Sequence, residues 1–205
     1  MLIIGLTGSI GMGKSTAAAH LRAHGISVFD ADAEVHRLYA GGEAVERIEQ
    51  AFPGTTHDGA VDRDRLSAAL VAHPEGFATL EGIVHPLVRA AERNFLRAEA
   101  ERGAKVSVLE IPLLYETGAE KLVDAVIVVS ASADVQRQRL SKRPGLTPEK
   151  LESLLARQTS DADKRVRANY VVDTGGSLAA SQAALDAIVA EFPSLHARAY
   201  TEHWA

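Results

Sequence analysis

The stretch that decides the fold is Gly8–Ser15, with the sequence Gly-Ser-Ile-Gly-Met-Gly-Lys-Ser, which fits the phosphate-loop pattern G-x-x-x-x-G-K-[ST]. The apolar run Leu2–Thr7 precedes it and predicts a buried strand, and the segment from Thr16 to Leu21 predicts the start of a helix. In the order strand, glycine loop and helix, backbone N–H groups and the helix N-terminus point at phosphate oxygens. The sequence therefore predicts binding of a nucleoside triphosphate, and a chance glycine turn is the disfavoured alternative.

Each part of this loop has a predicted role in holding the nucleotide. The Lys14 amine can reach the β- and γ-phosphates. The Ser15 hydroxyl can ligate Mg²⁺, which makes Ser15 the predicted metal ligand and Mg²⁺ the expected cofactor. The predicted nucleotide-binding residues of the loop and the helix start are Gly8, Ser9, Ile10, Gly11, Met12, Gly13, Lys14, Ser15 and Thr16.

Composition limits the class of protein. The 205 residues are 46% hydrophobic and 24% charged, as in an ordinary globular protein with one sizeable core. The net charge of −5 argues against a general nucleic-acid-binding surface, and the absence of cysteine excludes disulfides and thiolate chemistry. The sequence has neither a signal-peptide pattern nor an apolar stretch long enough to span a membrane. We therefore expect a cytoplasmic protein that binds neither nucleic acid nor a membrane.

Strands and helices alternate along the chain, which predicts an α/β fold with a parallel sheet covered on both faces. Short apolar runs, typical of strands buried on both faces, mark each strand. A last helix is predicted from near Ser177. The five predicted strands are Leu2–Thr7, Ile26–Phe29, Ala104–Ile111, Ala125–Val129 and Tyr170–Asp173.

Two intervals between strands are too long for simple crossovers, so we expect a single domain over residues 1–205 with two insertions. The first insertion, about 33–103, predicts a helical lobe. The second, about 140–168, predicts a short pair of helices that could act as a lid. Within it, Thr147 suits an N-cap and Pro148 suits the first helical position.

Two carboxylates follow the second predicted strand, at an edge where open parallel sheets bind ligands. Asp30 and Asp32 would lie on the same side of an extended segment, and one of them could accept a proton from an attacking hydroxyl. Alternatively, one of them caps a helix that starts near Ala33. Position alone leaves both interpretations open, and each residue could take one role.

Other charged residues have positions that suit phosphate chemistry. Glu110 lies inside the apolar third strand, where a charge is costly without a partner, and its carboxylate could hold Mg²⁺ through water. Arg139 and Arg143 stand four residues apart and share a helix face, so they could neutralise charge on a transferring phosphate. Arg137 points elsewhere and is expected in solvent.

The histidines give a weaker signal. We expect His85 and Pro86 to precede a helix that runs toward Arg102, and a lone histidine is most often structural. No group of histidine and acidic residues has zinc-ligand spacing along the chain, so we expect no structural metal.

Taken together, these segments resemble the dephospho-coenzyme A kinase family over most of the chain, from Leu2 to about Gly176. The phosphate loop and the aspartate pair match the family's first motifs. Val61-Asp62-Arg63 matches a Leu-Asp-Arg element of its substrate lobe, and Leu80–Pro86 matches the highly specific segment Leu-Glu-x-Ile-x-His-Pro. The matches on the lid side are Gln136, Arg139, Arg143 and Arg157-Gln158.

Two departures from the family pattern concern contacts with the metal and the base. Glu110 and Tyr115 stand where the family usually has Asp and Phe in Asp-x-Pro-Leu-Leu-Phe-Glu, although the longer Glu can still act through water. In the segment Ala-Asp-x-Val-Ile-x-Asn-x-Gly, the expected Asp and Asn are replaced by Asn169 and Thr174. The second departure affects contacts with the nucleotide base rather than the reaction.

The resemblance implies a three-layer P-loop NTPase fold with a five-stranded parallel sheet, a helical substrate lobe and a lid that excludes water. It implies transfer of the γ-phosphate of ATP to the ribose 3′-hydroxyl of dephospho-coenzyme A. In this interpretation Asp32 accepts the hydroxyl proton, Lys14, Mg²⁺ and Arg139 stabilise the transferring group, and Arg143 contacts ATP. The implied substrate-binding residues are Asp32, Arg63, His85 and Glu110.

Two alternatives to this reaction stay open. One is a kinase of the same fold that acts on another small hydroxyl acceptor. The other is a nucleotide-hydrolysing switch, because Asp173–Gly176 fits the pattern D-x-x-G. That segment follows the last strand instead of the phosphate loop, and no guanine-reading Asn-Lys-x-Asp motif comes after it. The expected partners are ATP and dephospho-coenzyme A; the oligomeric state stays open, and a monomer fits.

Overall fold

The strand that leads into the phosphate loop is the middle strand of a five-stranded sheet in the computed structural model of this chain. The sheet order is β2-β5-β1-β6-β7, where β3 and β4 form a separate hairpin. Strand β1 pairs in parallel with β5 and β6, and β6 pairs in parallel with β7. The predicted α/β fold with a five-stranded parallel sheet is confirmed. The strand bounds are β1 Leu2–Thr7, β2 Ser27–Asp30, β3 Thr56–His57, β4 Ala60–Val61, β5 Val106–Glu110, β6 Ala125–Ser130 and β7 Tyr170–Asp173.

The structure describes residues 1–142, 155–156 and 158–205, and these form two units. The first unit comprises Met1–Phe29 and Leu96–Ala205, and the second comprises Asp30–Phe95. Part of the predicted lid, including Arg143, the Thr147 cap and Arg157, lies outside the described residues. The described α-helices are α1 Lys14–Ala23, α2 Ala31–Tyr39, α3 Glu43–Ala51, α4 Arg63–Ala72, α5 Gly76–Glu101, α6 Ala133–Leu140, α7 Asp161–Arg167 and α8 Leu178–Glu191.

The core of the first unit forms because its central strands are apolar on both faces. Every residue of β1 and β6 is buried. A continuous run of apolar side chains can be satisfied only when helices cover both faces of a parallel sheet. Helices α1 and α8 supply part of this cover. The side chains that join the sheet to these helices include Leu2, Ile4, Leu6, Val108, Ile127, Val129, Val172, Ala17, Leu21, Leu185 and Ile188.

The predicted strand positions agree with the structure to within two residues at each end. The first and last strands match, the second is shifted by one residue, the third is shorter and the fourth extends to Ser130. Helix α1 begins at Lys14, two residues before the predicted start at Thr16. It begins early because Gly13, with φ of 88°, lets the chain turn directly from the loop into the helix.

The second unit is built from helices α2, α3, α4 and most of α5 around its own apolar core. It overlaps most of the predicted helical lobe, whose role as a substrate lobe stays a prediction. The hairpin of β3 and β4 was not predicted. Asp58 and Gly59 form its two-residue turn with φ of 50° and 76°, as a type I′ turn requires. The core residues are Val45, Ile48, Val61, Leu66, Leu70 and Val84.

The two aspartates after β2 do not share an extended segment, so that prediction was wrong. Asp30 ends β2 and caps α2, because its Oδ1 accepts a hydrogen bond of 2.9 Å from the Ala33 N–H. Helix α2 begins at Ala31, which puts Asp32 in the first helical turn, exposed to solvent. The alternative of a capping aspartate is confirmed for Asp30.

His85 and Pro86 lie inside α5, whereas the sequence predicted that they precede a helix. Proline normally marks a helix boundary because it lacks an N–H and its ring crowds the preceding turn. Here Leu80, Ile83 and Val84 recur at helical spacing and pack into the core of the second unit. This burial maintains the helix through the proline.

The C-terminal tail carried no readable signal in the sequence, yet it is anchored to the first unit. One carboxylate oxygen of Asp124 accepts hydrogen bonds of 2.7 and 2.8 Å from the Arg198 and Ala199 N–H groups. The Trp204 side chain is buried, and its ring N–H donates to the Leu122 carbonyl at 2.7 Å. These contacts order the tail against the turn before β6.

Among the helices that the structure describes, none combines the length and apolar character needed to cross a bilayer.

The Asp30 cap of α2 gives a stability prediction. Asp30→Ala should lower the free energy of unfolding by about 1 kcal/mol, the usual effect of losing an N-cap acceptor. Asp30→Asn is the matched control, since its amide oxygen can still accept the Ala33 N–H bond and should keep most of the stability. Urea unfolding of both variants is the measurement. Equal stability of the alanine and asparagine variants would contradict the capping role.

Candidate active site

The backbone of the phosphate loop depends on residues without a side chain. Gly8 approaches β6 so closely that a Cβ atom there would lie 2.4 Å from the Val129 carbonyl oxygen. Gly13 has φ of 88°, a conformation that L-residues with side chains adopt at a cost. The sequence Gly8–Ser15 therefore folds as the motif predicts, between the end of β1 and the first turn of α1.

The Lys14 side chain turns back over the loop that it ends. Its Nζ donates to the Gly8 carbonyl at 2.7 Å and lies 3.5 Å from the Ser9 carbonyl. Ser15 and Thr16 follow in the exposed first turn of α1. An amine, a hydroxyl and a helix N-terminus thus meet at one point, which suits binding of phosphate groups.

Helix α6 and the segment after β7 hold the carbonyl groups of the loop. The Gln136 side-chain amide donates to the Ile10 carbonyl at 2.8 Å, and Arg139 Nη1 donates to the Gly11 carbonyl at 3.2 Å. The Thr174 hydroxyl donates to the Met12 carbonyl at 2.8 Å. Arg139 and Thr174 are also joined, because Arg139 Nη2 donates to the Thr174 carbonyl at 2.5 Å.

These contacts determine which way the loop N–H groups face. In a planar trans peptide, the carbonyl of one residue and the N–H of the next point in opposite directions. Since donors hold the Ile10 and Met12 carbonyls, the N–H groups of Gly11 and Gly13 point away from those donors. Gln136 and Arg139 were expected on the lid side from the family resemblance, but the structural role of Thr174 was missed. The only signal for Thr174 in the sequence was that it replaces the Asn expected in the family pattern.

A cavity of about 380 Å³ lies beside the loop within the first unit. Gly13 and Thr16 line the end of the cavity next to the loop, and Arg139 also lines it. Leu178 and Leu185 of α8 form an apolar wall. Such a cavity suits a flat heterocycle, because the apolar wall can pack on the ring and a planar guanidinium can stack on it.

Glu110 is the last residue of β5 and is only 4% exposed. It is in register with Leu6, one residue before β1 ends and the chain turns into the loop. A carboxylate in such a buried position needs a compensating partner, and Glu110 takes part in further interactions. The predicted location of this residue near the loop strand therefore agrees with the register of the sheet.

A buried lysine ties α7 to the carboxyl end of β5, and the sequence analysis missed it. The Lys164 side chain is fully buried, with Nζ 3.0 Å from Glu116 Oε1 and 3.4 Å from the Pro112 carbonyl. The Thr159 N–H donates to the same Glu116 oxygen at 2.7 Å. The signal available was the family segment that ends at Glu116, but only the arginines of the basic region were considered.

A second contact of α7 reaches the end of β6. The Ser130 hydroxyl donates to Asp161 Oδ2 at 2.7 Å. Farther along α7, the Arg167 guanidinium lies 4.2 Å from the centre of the Tyr115 ring. Burial raises the pKa of the Tyr115 hydroxyl above its usual value, and the Arg167 charge opposes this rise. Tyr115, one of the departures from the family pattern, is therefore neutral at physiological pH.

Three predicted site residues belong to the second unit. Asp32 lies in the first turn of α2, Arg63 begins α4 and His85 lies in α5, and all three are exposed. Arg63 Nη1 is 3.2 Å from His36 Nδ1, a pairing that the sequence did not indicate. Arg137, expected in solvent, is exposed on α6 and pairs with Asp134.

Comparisons with known proteins identify the family. A family model described as dephospho-CoA kinase matches residues 2–180. The dephospho-CoA kinase of Rhodopseudomonas palustris is 56% identical over 178 residues, which cover 87% of this chain and 89% of that protein. The dephospho-CoA kinase of Brucella melitensis is 52% identical over 177 residues, 86% of this chain and 88% of that protein. The chain belongs to the dephospho-CoA kinase family.

Solved structures agree with the family membership. A crystal structure from Thermus thermophilus is 38% identical, with a TM-score of 0.78 over 93% of this chain and 97% of that one. Dephospho-CoA kinase from Campylobacter jejuni is 23% identical, with a TM-score of 0.69 over 94% and 97% of the two chains. Shikimate kinase from Acinetobacter baumannii is 20% identical, with a TM-score of 0.54 over 95% and 94%. The last two similarities support the fold alone, and the predicted P-loop kinase fold is confirmed.

The buried pair of Lys164 and Glu116 gives a second stability prediction. In this member of the dephospho-CoA kinase family, Lys164→Met should lower the free energy of unfolding by about 3 kcal/mol, because it leaves the mostly buried Glu116 carboxylate without its cation. Adding Glu116→Gln should restore part of the loss, since the amide oxygen can still accept the Thr159 N–H bond. Chemical unfolding of the single and double variants measures both effects.

Lys121→Met is the control for loss of a lysine charge at an exposed position. It should change the free energy of unfolding by no more than about 0.5 kcal/mol. A similar loss in the Lys121 and Lys164 variants would rule out a special contribution from the buried pair.

Proposed function

We propose that this chain transfers the γ-phosphate of ATP to the ribose 3′-hydroxyl of dephospho-CoA, which yields CoA and ADP. The observation that carries the proposal is the intact phosphate loop, with Lys14 folded over it, in a chain that belongs to the dephospho-CoA kinase family. Relatives at 52–56% identity over most of the chain bear the same enzyme name. A cytoplasmic location remains a prediction from the sequence.

The nucleotide would occupy the loop and the neighbouring cavity. The N–H groups of Gly11 and Gly13 would face its phosphates, and the Lys14 amine would exchange the Gly8 carbonyl for β- and γ-phosphate oxygens. The base would then lie in the cavity against Leu178 and Leu185. This assignment is supported because the cavity begins at Gly13 and Thr16, where the loop becomes α1.

Residues at the loop have a donor set that fits Mg²⁺. Ser15 offers a hydroxyl and Glu110 a carboxylate, and Mg²⁺ prefers such oxygen ligands and keeps several waters. We propose that Ser15 binds the ion directly and that Glu110 acts through water, as the longer side chain permits. When bound with ATP, the ion would neutralise charge on the β- and γ-phosphate oxygens.

The chemistry assigned to the chain is proton removal and charge stabilisation. We assign Asp32 as the base that accepts the proton of the attacking 3′-hydroxyl. Asp32 suits this role because it lies exposed in the first turn of α2, whereas Asp30 provides the α2 cap. Lys14 and Arg139 would stabilise charge on the transferring group, because its three equatorial oxygens carry the charge during transfer.

The second unit would bind the acceptor. Arg63 and His36 form an exposed pair of nitrogen donors, and His85 is a further exposed imidazole of this unit. Such groups suit the phosphates of dephospho-CoA. The predicted lid, about 140–168, would exclude water, which otherwise competes with the 3′-hydroxyl as acceptor.

The proposed reaction is tested by ADP release with and without dephospho-CoA. Turnover should depend on dephospho-CoA, and other small hydroxyl compounds should support little of it. Lys14→Ala should abolish turnover without changing the circular dichroism spectrum, because the amine that spans the β- and γ-phosphates is gone. ADP release that is independent of every acceptor would contradict the proposal and favour a nucleotide-hydrolysing switch.

Substitution of each aspartate in turn tests which of the two is the base. Asp32→Asn should lower kcat by about 10²–10⁴-fold, the range that base catalysis supplies, and leave the KM for ATP nearly unchanged. Asp30→Asn keeps the helix cap and should keep most of the activity. Steady-state kinetics of both variants are the measurement, and the reverse ranking would identify Asp30 as the base.

The role of Arg139 can be separated from ground-state binding. Arg139→Lys keeps the charge but loses the planar fork, so it should lower kcat and kcat/KM together with little change in either KM. Arg137→Ala, on the exposed face of α6, is the control and should match the wild type. A rise in the KM for ATP alone would show that Arg139 acts in ATP binding rather than on the transferring group.

A further inference from the structure

Two imidazoles and a carboxylate meet where α1 and α8 pack together. His20 Nε2 lies 2.6 Å from Asp186 Oδ1, and His24 Nε2 lies 2.8 Å from the same oxygen. One candidate ligand atom from each of these residues lies within 4.8 Å of the other two. Within the described ranges, no other group of three histidine or acidic side chains meets this criterion.

The fold fixes this arrangement through helix geometry and core packing. His20 and His24 are four residues apart, and the His24 N–H bonds to the His20 carbonyl at 3.2 Å, so both rings lie on one helix face. Asp186 follows Leu185, whose side chain shares the core of the first unit with Leu21 of α1. The packing of α1 against α8 that buries these leucines therefore also brings the three polar side chains together.

We propose that His20, His24 and Asp186 bind one divalent transition-metal ion, of which Zn²⁺ is the best-suited example. Two imidazole nitrogens and one carboxylate oxygen are ligands that Zn²⁺ and its neighbours Co²⁺, Ni²⁺ and Cu²⁺ accept. Mg²⁺ prefers oxygen ligands alone, so this site differs chemically from that proposed at Ser15. The inference does not depend on the kinase reaction.

The geometry needs only a small rearrangement to accept the ion. Metal–ligand bonds of about 2.0–2.2 Å in a tetrahedral site hold ligand atoms about 3.3 Å apart. The N–O distances of 2.6 and 2.8 Å must therefore open by about 0.7 and 0.5 Å. The side chains of His24 and Asp186 are 38% and 49% exposed, so they have room to move. A water molecule can occupy the fourth ligand position of the ion.

An ion at this position would link α1, which starts at the phosphate loop, with α8. Ligands that bind only the folded state raise its stability as their concentration rises. His20 also lines the cavity beside the loop. The expectation of no structural metal came from spacing along the sequence, which could not reveal a third ligand supplied by α8.

The test uses the full-length protein without a histidine tag, freed of metal by a chelator, without nucleotide and with excess Mg²⁺. Titration with Co²⁺ should give a saturable visible absorption band with one ion bound per chain, and Zn²⁺ should displace it. Zn²⁺ should also raise the Tm in proportion to the logarithm of its concentration. The absence of saturable binding would overturn the proposal.

Substitution of the proposed ligands tests where the ion binds. His24→Ala and Asp186→Asn should each weaken Co²⁺ and Zn²⁺ binding by at least about tenfold, since even loss of an outer partner of a ligand has that effect. Both variants should keep their activity with Mg²⁺ and ATP, because neither residue belongs to the nucleotide site. Unchanged metal affinity in either variant would overturn the assignment.

His57→Ala is the matched control for removal of an exposed histidine near a carboxylate. His57 Nε2 lies 3.2 Å from Asp58 Oδ2, which offers one imidazole and one carboxylate in the second unit. Its loss should leave the metal affinity and the Zn²⁺-dependent rise in Tm unchanged. A loss of binding in this variant equal to that of His24→Ala would show that the ion does not bind where we propose.

Discussion

The orientation of the loop carbonyls is the constraint on which the rest of the site depends. A phosphate loop binds anions only if its N–H groups converge, and each N–H is set by the carbonyl that precedes it. In this chain Gln136, Arg139 and Thr174 hold those carbonyls, and they come from elements far from the loop in sequence. Gly8 completes the arrangement because it lets the loop touch the backbone of β6.

This constraint joins the loop to the sheet order. Strand β6 must lie beside β1, and β7 beside β6, for α6 and Thr174 to reach the loop, and the observed order satisfies that requirement. The cavity then lies between α1, Arg139 and α8 as a consequence of the same packing. The cluster of His20, His24 and Asp186 is a second product of that packing, and His20 also lines the cavity. One helix contact thus shapes both the proposed base site and the proposed metal site.

The ion pair of Lys164 and Glu116, near the carboxyl edge of the sheet, contributes to the fold in a different way from the apolar core. Lys164 is buried and pairs with Glu116. An intact pair of this kind adds little net stability, but removal of one partner strongly destabilises the fold. Its function is better understood as positioning. It holds α7 against the segment after β5, within the interval of about 140–168 that the sequence predicted as a lid. The strength of the contact therefore matters less than the place at which it holds the helix.

The sequence by itself determined the loop, the five strands and the family, because glycine positions, apolar runs and specific motifs are local properties of the chain. It could not separate Asp30 from Asp32, since a helix start and an extended segment both fit the same residues. It also missed the helical position of His85, because burial outweighs the local effect of Pro86. Only the tertiary structure decided which residues hold the loop, which lysine is buried and where two histidines meet an aspartate, because these contacts join residues that packing, rather than spacing, brings together.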